Sequence, residues 1–474
     1  MNPTQKIVKN IFSLFIGNLV SAILTLILSI YIARFLGDVL FGRYSFVVTF
    51  VALFSYFLDL GYETLIIRDV AKDKSQASCY LNNIISMRTI ISGLIFIIIF
   101  LLVTILDFPD NVKNLIYLFG FSQIITSLTN VFRVTFRAFE KMEYEAGINI
   151  FSNIIRCSLG LLVLFLGYGL IEISLVLLYS AIIEFVISFV ICEKKFVRTK
   201  SQFDLNFFKN TIKIALPIFA IGIFGLIYVK IDTIMLAFMV GEAVVGWYNA
   251  AYTLILGFSP IPHLFMMALL PFMSYTYVKS RDSLRDVYEK SFKFLMVFGL
   301  PITAGIFLLA DRFIILFYGQ DFLNSVNTLR ILSWDILLKF LYLCTWFVLI
   351  SADKQKNLAI IAGSGAFLNI MLNLFLIPNY SLVGAAIATI ITEAVILLLY
   401  LYLAYINNLK IPFKKIFLKP VLACIVMAFF TYYFSYLNIF LLILCSAIIY
   451  FSILLILKDF SKEDKALFKK LIKR

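Results

Sequence analysis

The apolar runs of this chain, and the basic residues between them, constrain its fold more than any other feature. Fourteen long apolar runs follow one another, and most of the 41 Lys and Arg residues lie at the N-terminus, in every second connecting loop or in the C-terminal tail. Short loops on the cytoplasmic side of a membrane retain Lys and Arg in this way. The pattern predicts an all-α polytopic membrane protein with about 14 transmembrane helices, both of whose termini are cytoplasmic.

The overall composition agrees with a membrane protein and excludes other classes. The chain is 62% hydrophobic and 14% charged, whereas a soluble domain carries about 25% charged residues. The net charge of +14 is divided among short loops instead of being gathered on one face, which argues against a nucleic-acid partner. Contact with the anionic headgroups of the cytoplasmic leaflet explains this charge better.

A charged connection and an internal repeat indicate how the spans are organised. We predict an N-terminal six-helix lobe over residues 1–192, a cytoplasmic linker over 193–211, a C-terminal six-helix lobe over 212–406, and two additional helices with a basic cytoplasmic tail over 407–474. Segment Tyr31–Phe54 aligns without gaps on Met235–Phe258, and both contain the pattern G-[DE]-x-x-x-G-x-Y. Parallel repeats with a binding site between them are a known transporter architecture.

Motifs for common cofactors do not occur in the sequence. The phosphate-binding pattern G-x-x-x-x-G-K-[ST] is missing, which excludes this type of ATP site. The six cysteines show no C-x-x-C spacing, and the single histidine, His263, cannot form a multi-histidine metal site. Because His263 follows Pro260 and Pro262, it either satisfies backbone groups that the prolines free, which we favour, or titrates as a coupling group. We therefore expect no cofactor and no metal.

Ionisable residues inside the apolar runs are the remaining signal for function. Such residues are costly in lipid and usually face a bundle interior or an aqueous cavity. Arg156 lies in the middle of the fifth run, and Asn149, Asn153 and Gly160 share its helical face. This stripe either lines a central cavity and binds an anionic ligand, or forms a structural hydrogen-bond network between helices.

Further charges lie in the seventh and tenth runs. Asp335 and Lys339 are spaced to pair on one helical face, and Lys339, the deeper cation, is the better candidate for binding. Arg330 lies near the outer end of its run, where snorkelling is the alternative explanation. Lys230 and Asp232 cannot both face one cavity from an unbroken helix. One of them should line the cavity and the other should meet a neighbouring helix.

The fourth run places Arg133 at a predicted cavity mouth, with Arg137 snorkelling one turn further in. Asp59 and Glu63 are expected to pair with Arg68 or Arg88 instead of binding a ligand. Small and polar residues form stripes on the first and eleventh runs, which predicts close helix packing. These residues are Ser13, Gly17, Ser21 and Thr25 on the first run and Gly365, Asn369 and Asn373 on the eleventh.

Three groups of motifs carry a family resemblance. They are Ala33-Arg34-Phe35-Leu36-Gly37 through Phe41-Gly42-Arg43-Tyr44-Ser45 with Asp59-Leu60-Gly61; Ile231-Asp232 with Val245-Gly246-Trp247-Tyr248-Asn249-Ala250-Ala251; and Asn373-Leu374-Phe375-Leu376-Ile377-Pro378 with Gly384-Ala385-Ala386-Ile387-Ala388-Thr389. In this order the motifs resemble the polysaccharide-synthesis flippases, which handle O-antigen and capsular repeat units. That family belongs to the multidrug/oligosaccharidyl-lipid/polysaccharide exporter superfamily.

The resemblance implies a non-enzymatic flippase of the inner membrane that works by alternating access. Its substrate would be a polyprenyl-pyrophosphate-linked oligosaccharide, turned outward before polymerisation or ligation, so that a polymerase or ligase is a possible partner. A basic cavity would suit the pyrophosphate, and polar stripes would suit the sugars. The candidate substrate-binding residues are Arg156, Lys230, Asp232, Arg330, Lys339, Arg133, Asn149 and Asn153, of which the family motifs reach Asp232 and Arg330.

Three alternatives remain. A MATE-type exporter of amphipathic cations fits poorly, because the basic cavity repels cations and the first run has no charge between Asn10 and Ala33. Lipid II-type flippases share the architecture but tend to carry more arginine in the first spans. A membrane glycosyltransferase or polymerase needs acidic catalytic residues in a sizeable outer loop. The longest outer loop predicted here is only Asp311–Ser325.

Overall fold

The computed structural model describes residues 3–60, 62–200 and 202–459, and nearly all of them are helical. Most of the predicted basic tail lies outside the described residues, as does Gly61. Within the described residues, twelve helical segments are long and apolar enough to cross a membrane. Two of the twelve, Phe12–Leu58 with 47 residues and Gln355–Ile406 with 52, have about twice the length that one crossing needs. The prediction of an all-α polytopic protein with about 14 crossings is therefore confirmed.

The helices pack into two compact units, Met1–Asn249 and Ala250–Arg474, whose boundary falls within α8. The lobe boundaries predicted from the sequence stay a prediction. The α-helices up to this boundary are α1 Pro3–Ser55, α2 Tyr62–Lys72, α3 Ala77–Ile105, α4 Asp110–Ala138, α5 Met142–Phe165, α6 Leu170–Lys195, α7 Leu205–Met239 and α8 Glu242–Leu256. Those that follow are α9 Pro260–Lys279, α10 Arg281–Leu308, α11 Ala310–Phe317, α12 Ser325–Ser351, α13 Gln355–Ile406, α14 Phe413–Tyr433 and α15 Ile439–Ile456. Short 3₁₀ helices occupy Tyr56–Leu58, Lys74–Gln76 and Gln320–Phe322.

Each of the two double-length helices is interrupted at one residue. In α1 this residue is Gly37, whose φ of 79° suits a residue without a Cβ atom. In α13 it is Ser381, with φ 53°, three residues after Pro378. A Cβ atom on the nearby Gly384 would overlap the carbonyl oxygen of Leu376, so only glycine allows this reversal. Both interruptions fall between neighbouring apolar runs, in the outer loops that the sequence predicts over residues 36–43 and 378–382.

Two predicted boundaries were wrong. The outer loop predicted over Asp311–Ser325 contains helix α11 and a 3₁₀ turn instead of an open loop. The second apolar run, Tyr44–Thr64, predicts one continuous span, but α1 ends at Ser55 and a separate helix, α2, begins at Tyr62. This helix is amphipathic: Tyr62, Ile66 and Val70 are buried at helical spacing. The apolar face of α2 made it resemble a continuation of the span.

The small-residue stripes mediate close helix packing, as predicted. On α1, a Cβ atom at Gly17 would lie 3.1 Å from Ala146 of α5, and Ser21 Oγ accepts a hydrogen bond from Asn153 Nδ2 of α5 at 3.1 Å. On α13, Asn373 Nδ2 donates to Asn369 Oδ1 at 3.0 Å, and both side chains are fully buried. Small residues let helix backbones approach closely, and polar side chains then bond across the contact.

Candidate functional site

A polar cavity lies inside the first unit, between helices α1, α4, α5 and α6. Its volume is about 180 Å³. This space holds a small polar group but not an oligosaccharide. The lining residues are Leu24, Thr25, Leu28, Ser29, Tyr44, Val48, Phe119, Ser122, Gln123, Thr126, Asn153, Arg156, Cys157 and Leu177.

Arg156 supplies the only charged side chain in this lining. Its Nε donates to Ser180 Oγ at 3.2 Å, and Tyr44 lies close enough to interact with its charge. Among the described residues, no carboxylate lies within ion-pair distance of the Arg156 guanidinium. A half-buried arginine without a counter-ion attracts anions, and its planar group of N–H donors matches phosphate oxygens.

Asn149 and Asn153 lie on the Arg156 face of α5, as the sequence predicted. Asn153 Nδ2 donates to Asn149 Oδ1 at 3.0 Å and to the Asn149 carbonyl at 2.8 Å. Asn153 reaches the cavity, whereas Asn149 does not line it. The sequence left two interpretations of this stripe open, a cavity lining and a hydrogen-bond network between helices. The structure combines them, because Asn153 joins α5 to α1 while Arg156 faces the cavity.

Arg133 lies outside the cavity lining and forms an ion pair with Glu184. Glu184 is buried on α6, one helical turn beyond Ser180. Arg133 also lies within electrostatic range of Arg156. The structure thus places Arg133 behind the cavity, and its predicted role in ligand binding stays a prediction.

A second group of charges lies at the predicted cytoplasmic end of the same unit. Arg88 is fully buried, forms an ion pair with Asp59 and donates to the carbonyl oxygen of Ser127. The predicted pairing of Asp59 with Arg88 is therefore confirmed, whereas the predicted pairing of Glu63 with Arg68 or Arg88 was wrong, because Glu63 pairs with Arg137. The prediction that Arg137 snorkels was wrong, because two carboxylates of neighbouring helices hold its guanidinium. Arg137 Nε and Nη2 donate to Glu145 at 2.8 and 2.5 Å, and Nη1 donates to Glu63 at 3.4 Å.

Lys230 and Asp232 of α7 have different surroundings. Asp232 is buried and accepts a hydrogen bond from Tyr248 Oη of α8 at 2.7 Å. This confirms that one of the two residues meets a neighbouring helix. Lys230 is half-buried, and its ammonium has no ion pair or hydrogen bond within the described part of the chain. That Lys230 lines a cavity stays a prediction.

The second unit contains the other predicted cations. Lys339 Nζ donates to Asp335 Oδ2 at 2.6 Å, which confirms the predicted pair, and it lies 5.3 Å from the centre of the Tyr252 ring. Arg330 is half-buried and donates to Asn327 Oδ1 at 3.4 Å. Their roles in substrate binding stay predictions. The charge of Lys339 is already balanced by Asp335, whereas that of Arg156 is not balanced by any described carboxylate.

The repeated G-[DE]-x-x-x-G-x-Y motifs contact each other within the first unit. A Cβ atom on Gly42 would overlap the carbonyl oxygen of Glu242, and one on Gly246 would overlap that of Asp38. Beside this contact, Arg43 Nε and Nη2 donate to the Glu242 carboxylate at 2.9 and 2.8 Å. Equivalent glycines of the two repeats thus form a backbone contact that a bidentate ion pair reinforces.

Three buried acids of the described helices were missed by the sequence analysis. Glu145 and Glu184 bind the arginines described above, and Glu393 is a buried residue of α13 that interacts electrostatically with Lys339. Glu184 and Glu393 lie inside apolar runs, where the rule that identified Arg156 would also have found them. Cations that would suit an anionic substrate indicated a site, whereas the carboxylates that pair with those cations did not.

Comparisons with known proteins agree with this architecture. A family model described as polysaccharide biosynthesis protein matches residues 7–277, which is more than half of the chain, and the MatE model matches residues 217–375. The capsular polysaccharide biosynthesis protein CapF of Staphylococcus aureus is 24% identical over 407 residues, covering 83% of this chain and 98% of that protein. A putative O-antigen transporter of Shigella dysenteriae is 25% identical over 400 residues, with coverages of 83% and 98%.

Solved structures share the fold. The lipid II flippase MurJ in an inward closed conformation matches with a TM-score of 0.79 and 19% identity, covering 97% of this chain and 100% of that one. A multidrug resistance MATE family transporter in an inward-facing conformation matches with a TM-score of 0.65 and 14% identity, with coverages of 82% and 95%. At these identities, the likeness concerns the fold alone.

Proposed function

Because this chain belongs to the polysaccharide biosynthesis protein family, we propose that it is a flippase for a polyprenyl-pyrophosphate-linked oligosaccharide. The substrate would move from the cytoplasmic to the outer leaflet of the inner membrane by alternating access. Relatives named capsular polysaccharide biosynthesis protein, O-antigen transporter and glycan biosynthesis flippase support this proposal. The lobes over residues 1–192 and 212–406 would be the moving parts, and a polymerase or ligase would receive the product.

The observation that carries the proposal is that Arg156 lies in a polar cavity and has no carboxylate partner among the described residues. The cavity is far too small for a sugar repeat unit, so it would receive part of the pyrophosphate while the sugars lie elsewhere. Lys230, whose ammonium lacks a described partner, would add a second cationic contact. Arg330 and Lys339 are proposed as weaker contacts, and Asn149, Asn153, Asp232 and Arg133 as residues that position the others.

The same charge disfavours one rival function, the export of cations. An amphipathic cation would be repelled by Arg156, which argues against the drug-exporting function of MATE transporters. A lipid II-type flippase also needs a pyrophosphate site, and the MurJ-like fold keeps this candidate open. The two flippase functions differ in the sugars attached to the same lipid carrier, and only transport measurements separate them.

Reconstitution into liposomes tests the proposal. The full-length protein is purified and reconstituted with a fluorescent lipid-linked oligosaccharide placed in one leaflet, and its appearance in the other leaflet is followed with a membrane-impermeant quencher. We expect protein-dependent translocation without ATP, driven by an ion gradient or membrane potential. If only lipid II is translocated, the substrate is lipid II and not a lipid-linked oligosaccharide repeat unit. If only a cationic dye is exported, the proposal is overturned. Formation of a longer glycan from the lipid donor would indicate a polymerase.

A further inference from the structure

The lining of the Arg156 cavity combines one charged side chain with several neutral polar ones. Some of the neutral side chains are already bonded within the protein, because Ser122 and Thr126 donate to backbone carbonyl oxygens and Asn153 donates to α1. Others form no side-chain hydrogen bond with any described residue, and these are Thr25, Ser29, Tyr44 and Gln123. The cavity therefore offers a ligand one cation and four uncharged hydrogen-bonding groups.

These uncharged groups bind an anion without changing the charge of the site. The hydroxyl group of Tyr44 and the amide group of Gln123 both donate hydrogen bonds that phosphate oxygens accept. Behind the cavity, the charges of Arg133 and Glu184 cancel each other. The described residues at this site thus balance one negative charge of a ligand, and Arg156 alone supplies the balancing charge.

The phosphates of a lipid carrier differ in charge according to what is attached to them. In a loaded carrier, both phosphates of the pyrophosphate are bridged on two sides, and each carries one negative charge. In a free carrier, the terminal phosphate gains a second charge near neutral pH, since a terminal phosphate loses its second proton with a pKa of about 6. A doubly charged phosphate at Arg156 would leave one charge unbalanced among helices that solvate it poorly.

We propose that the Arg156 cavity binds the sugar-bearing phosphate and distinguishes the loaded lipid carrier from the free carrier by charge. Arg156 neutralises the single charge of this phosphate, while Tyr44 and Gln123 donate to its oxygens. The free carrier presents a doubly charged phosphate at the same place and is bound more weakly. This inference rests on the proposed function and deepens it, because the carrier that remains after glycan transfer would not occupy the flippase.

Discrimination of this kind uses an unpaired charge against the wrong ligand instead of an extra contact with the right one. General electrostatic attraction has the opposite effect, since a chain with a net charge of +14 favours the carrier with more negative charge. The order in which the two carriers bind therefore separates the proposal from general attraction.

Competition in the liposome assay measures this order. Translocation of a fluorescent lipid-linked oligosaccharide by the full-length protein is inhibited at pH 8 with unlabelled polyprenyl pyrophosphate or with its terminal methyl ester. Neither competitor contains a sugar, and the methyl ester carries one negative charge less. We expect the methyl ester to inhibit the wild type at a concentration at least about tenfold lower than the free pyrophosphate does.

A second cation in the cavity should reverse this order. In Gln123→Lys, the free pyrophosphate should inhibit at a lower concentration than the methyl ester. Gln202→Lys is the matched control, because the same exchange at an exposed residue of the linker adds the charge outside the cavity. This control should keep the order of the wild type.

The comparison of competitors in the wild type needs no variant, so it tests the proposal even where Gln123→Lys does not fold. Equal inhibition by the two competitors, or stronger inhibition by the free pyrophosphate, would overturn the charge discrimination and leave the flippase function standing. A folded Gln123→Lys that keeps the order of the wild type would remove the discrimination from this cavity. If the loaded carrier is not translocated at all, the proposed function and this inference both fail.

Discussion

Two arginines of the first unit, Arg156 and Arg88, should respond in opposite ways to the same substitution. Both lie within predicted membrane-spanning helices, and glutamine removes the charge of each while keeping a polar side chain. Arg88 is fully buried and bound to Asp59 and to the carbonyl of Ser127. Within the described part of the chain, Arg156 makes one hydrogen bond, to Ser180, and faces a cavity. The comparison therefore separates an arginine that holds the fold together from one that is available to a ligand.

Loss of Arg88 should mainly reduce stability. Removing one partner of a buried ion pair costs about 3–5 kcal/mol, because the other charge is left unpaired. The Asp59 side chain is 36% exposed, so water would solvate part of its charge. We therefore expect about 2–3 kcal/mol for Arg88→Gln, somewhat below the range for fully buried pairs.

Loss of Arg156 should mainly reduce transport. The variant Arg156→Gln forfeits one hydrogen bond, at a cost of about 1 kcal/mol, but it strands no carboxylate and relieves the desolvation of an unpaired cation. Its stability should stay close to that of the wild type. A charge-assisted bond from arginine to a phosphate oxygen contributes about 1.5–3 kcal/mol. Its loss should lower the apparent affinity for the lipid-linked substrate by roughly 10- to 100-fold.

The assay measures two quantities for each variant: the apparent melting temperature in detergent, and the rate of lipid-linked oligosaccharide translocation in liposomes at matched protein content. Arg156→Gln should melt near the wild type and translocate poorly at low substrate concentration. Arg88→Gln should melt several degrees lower, with activity lost in proportion to the folded fraction. If Arg156→Gln is as unstable as Arg88→Gln, or translocates like the wild type, the assignment of Arg156 to ligand binding is refuted.

Three further outcomes follow from the contacts described. Gly42→Ala should lower the melting temperature, since the added Cβ overlaps a carbonyl and overpacking costs about 1–3 kcal/mol. Reversing either charge of the ion pair between Arg43 and Glu242 should destabilise their contact by about 1 kcal/mol, and the double exchange Arg43→Glu/Glu242→Arg should restore most of the melting temperature. Asp335→Asn should reduce the yield of folded protein, because it leaves the Lys339 ammonium buried without its partner. Asp335→Leu/Lys339→Leu should recover that yield, as apolar replacements of buried ion pairs often do.

The fold was largely predictable because a bilayer leaves few alternatives. Every backbone polar group must be satisfied inside the hydrocarbon, so long apolar runs can only be helices or barrel strands, and runs of about 20 residues are helices. The turns at Gly37 and Ser381 fell where glycine and proline were expected. Helix α2 was not predicted because its buried face has the same apolar residues as the end of a span. Only the break in the helical backbone between Ser55 and Tyr62 distinguishes α2 from a continuation of the span.

The candidate site was predictable only in part, because pairing depends on how helices rotate and pack. Helical spacing identified Arg156 with its asparagine neighbours, and it identified the pair of Asp335 with Lys339, since both lie on one helix. Pairs between helices are a different matter. The partner of Arg133 lies on α6, some fifty residues along the chain, and no sequence spacing relates the two. For this reason the sequence showed which charges enter the membrane but not which of them are already neutralised.

Whether a buried cation is already neutralised by a carboxylate decides whether a functional role is assigned to it. While only their depth in the membrane was known, Lys339 looked as promising as Arg156, and Arg133 was predicted to lie at the cavity mouth. Once partners are assigned, each of the first two has a carboxylate within ion-pair distance, and a bound anion would have to compete with it. Arg156 can accept an anion without breaking any ion pair of the described residues, so no carboxylate has to be released first. Arg156 is costly to bury, lacks a counter-ion among the described residues and faces a polar cavity. An anionic ligand that supplies the missing counter-charge best explains these three properties.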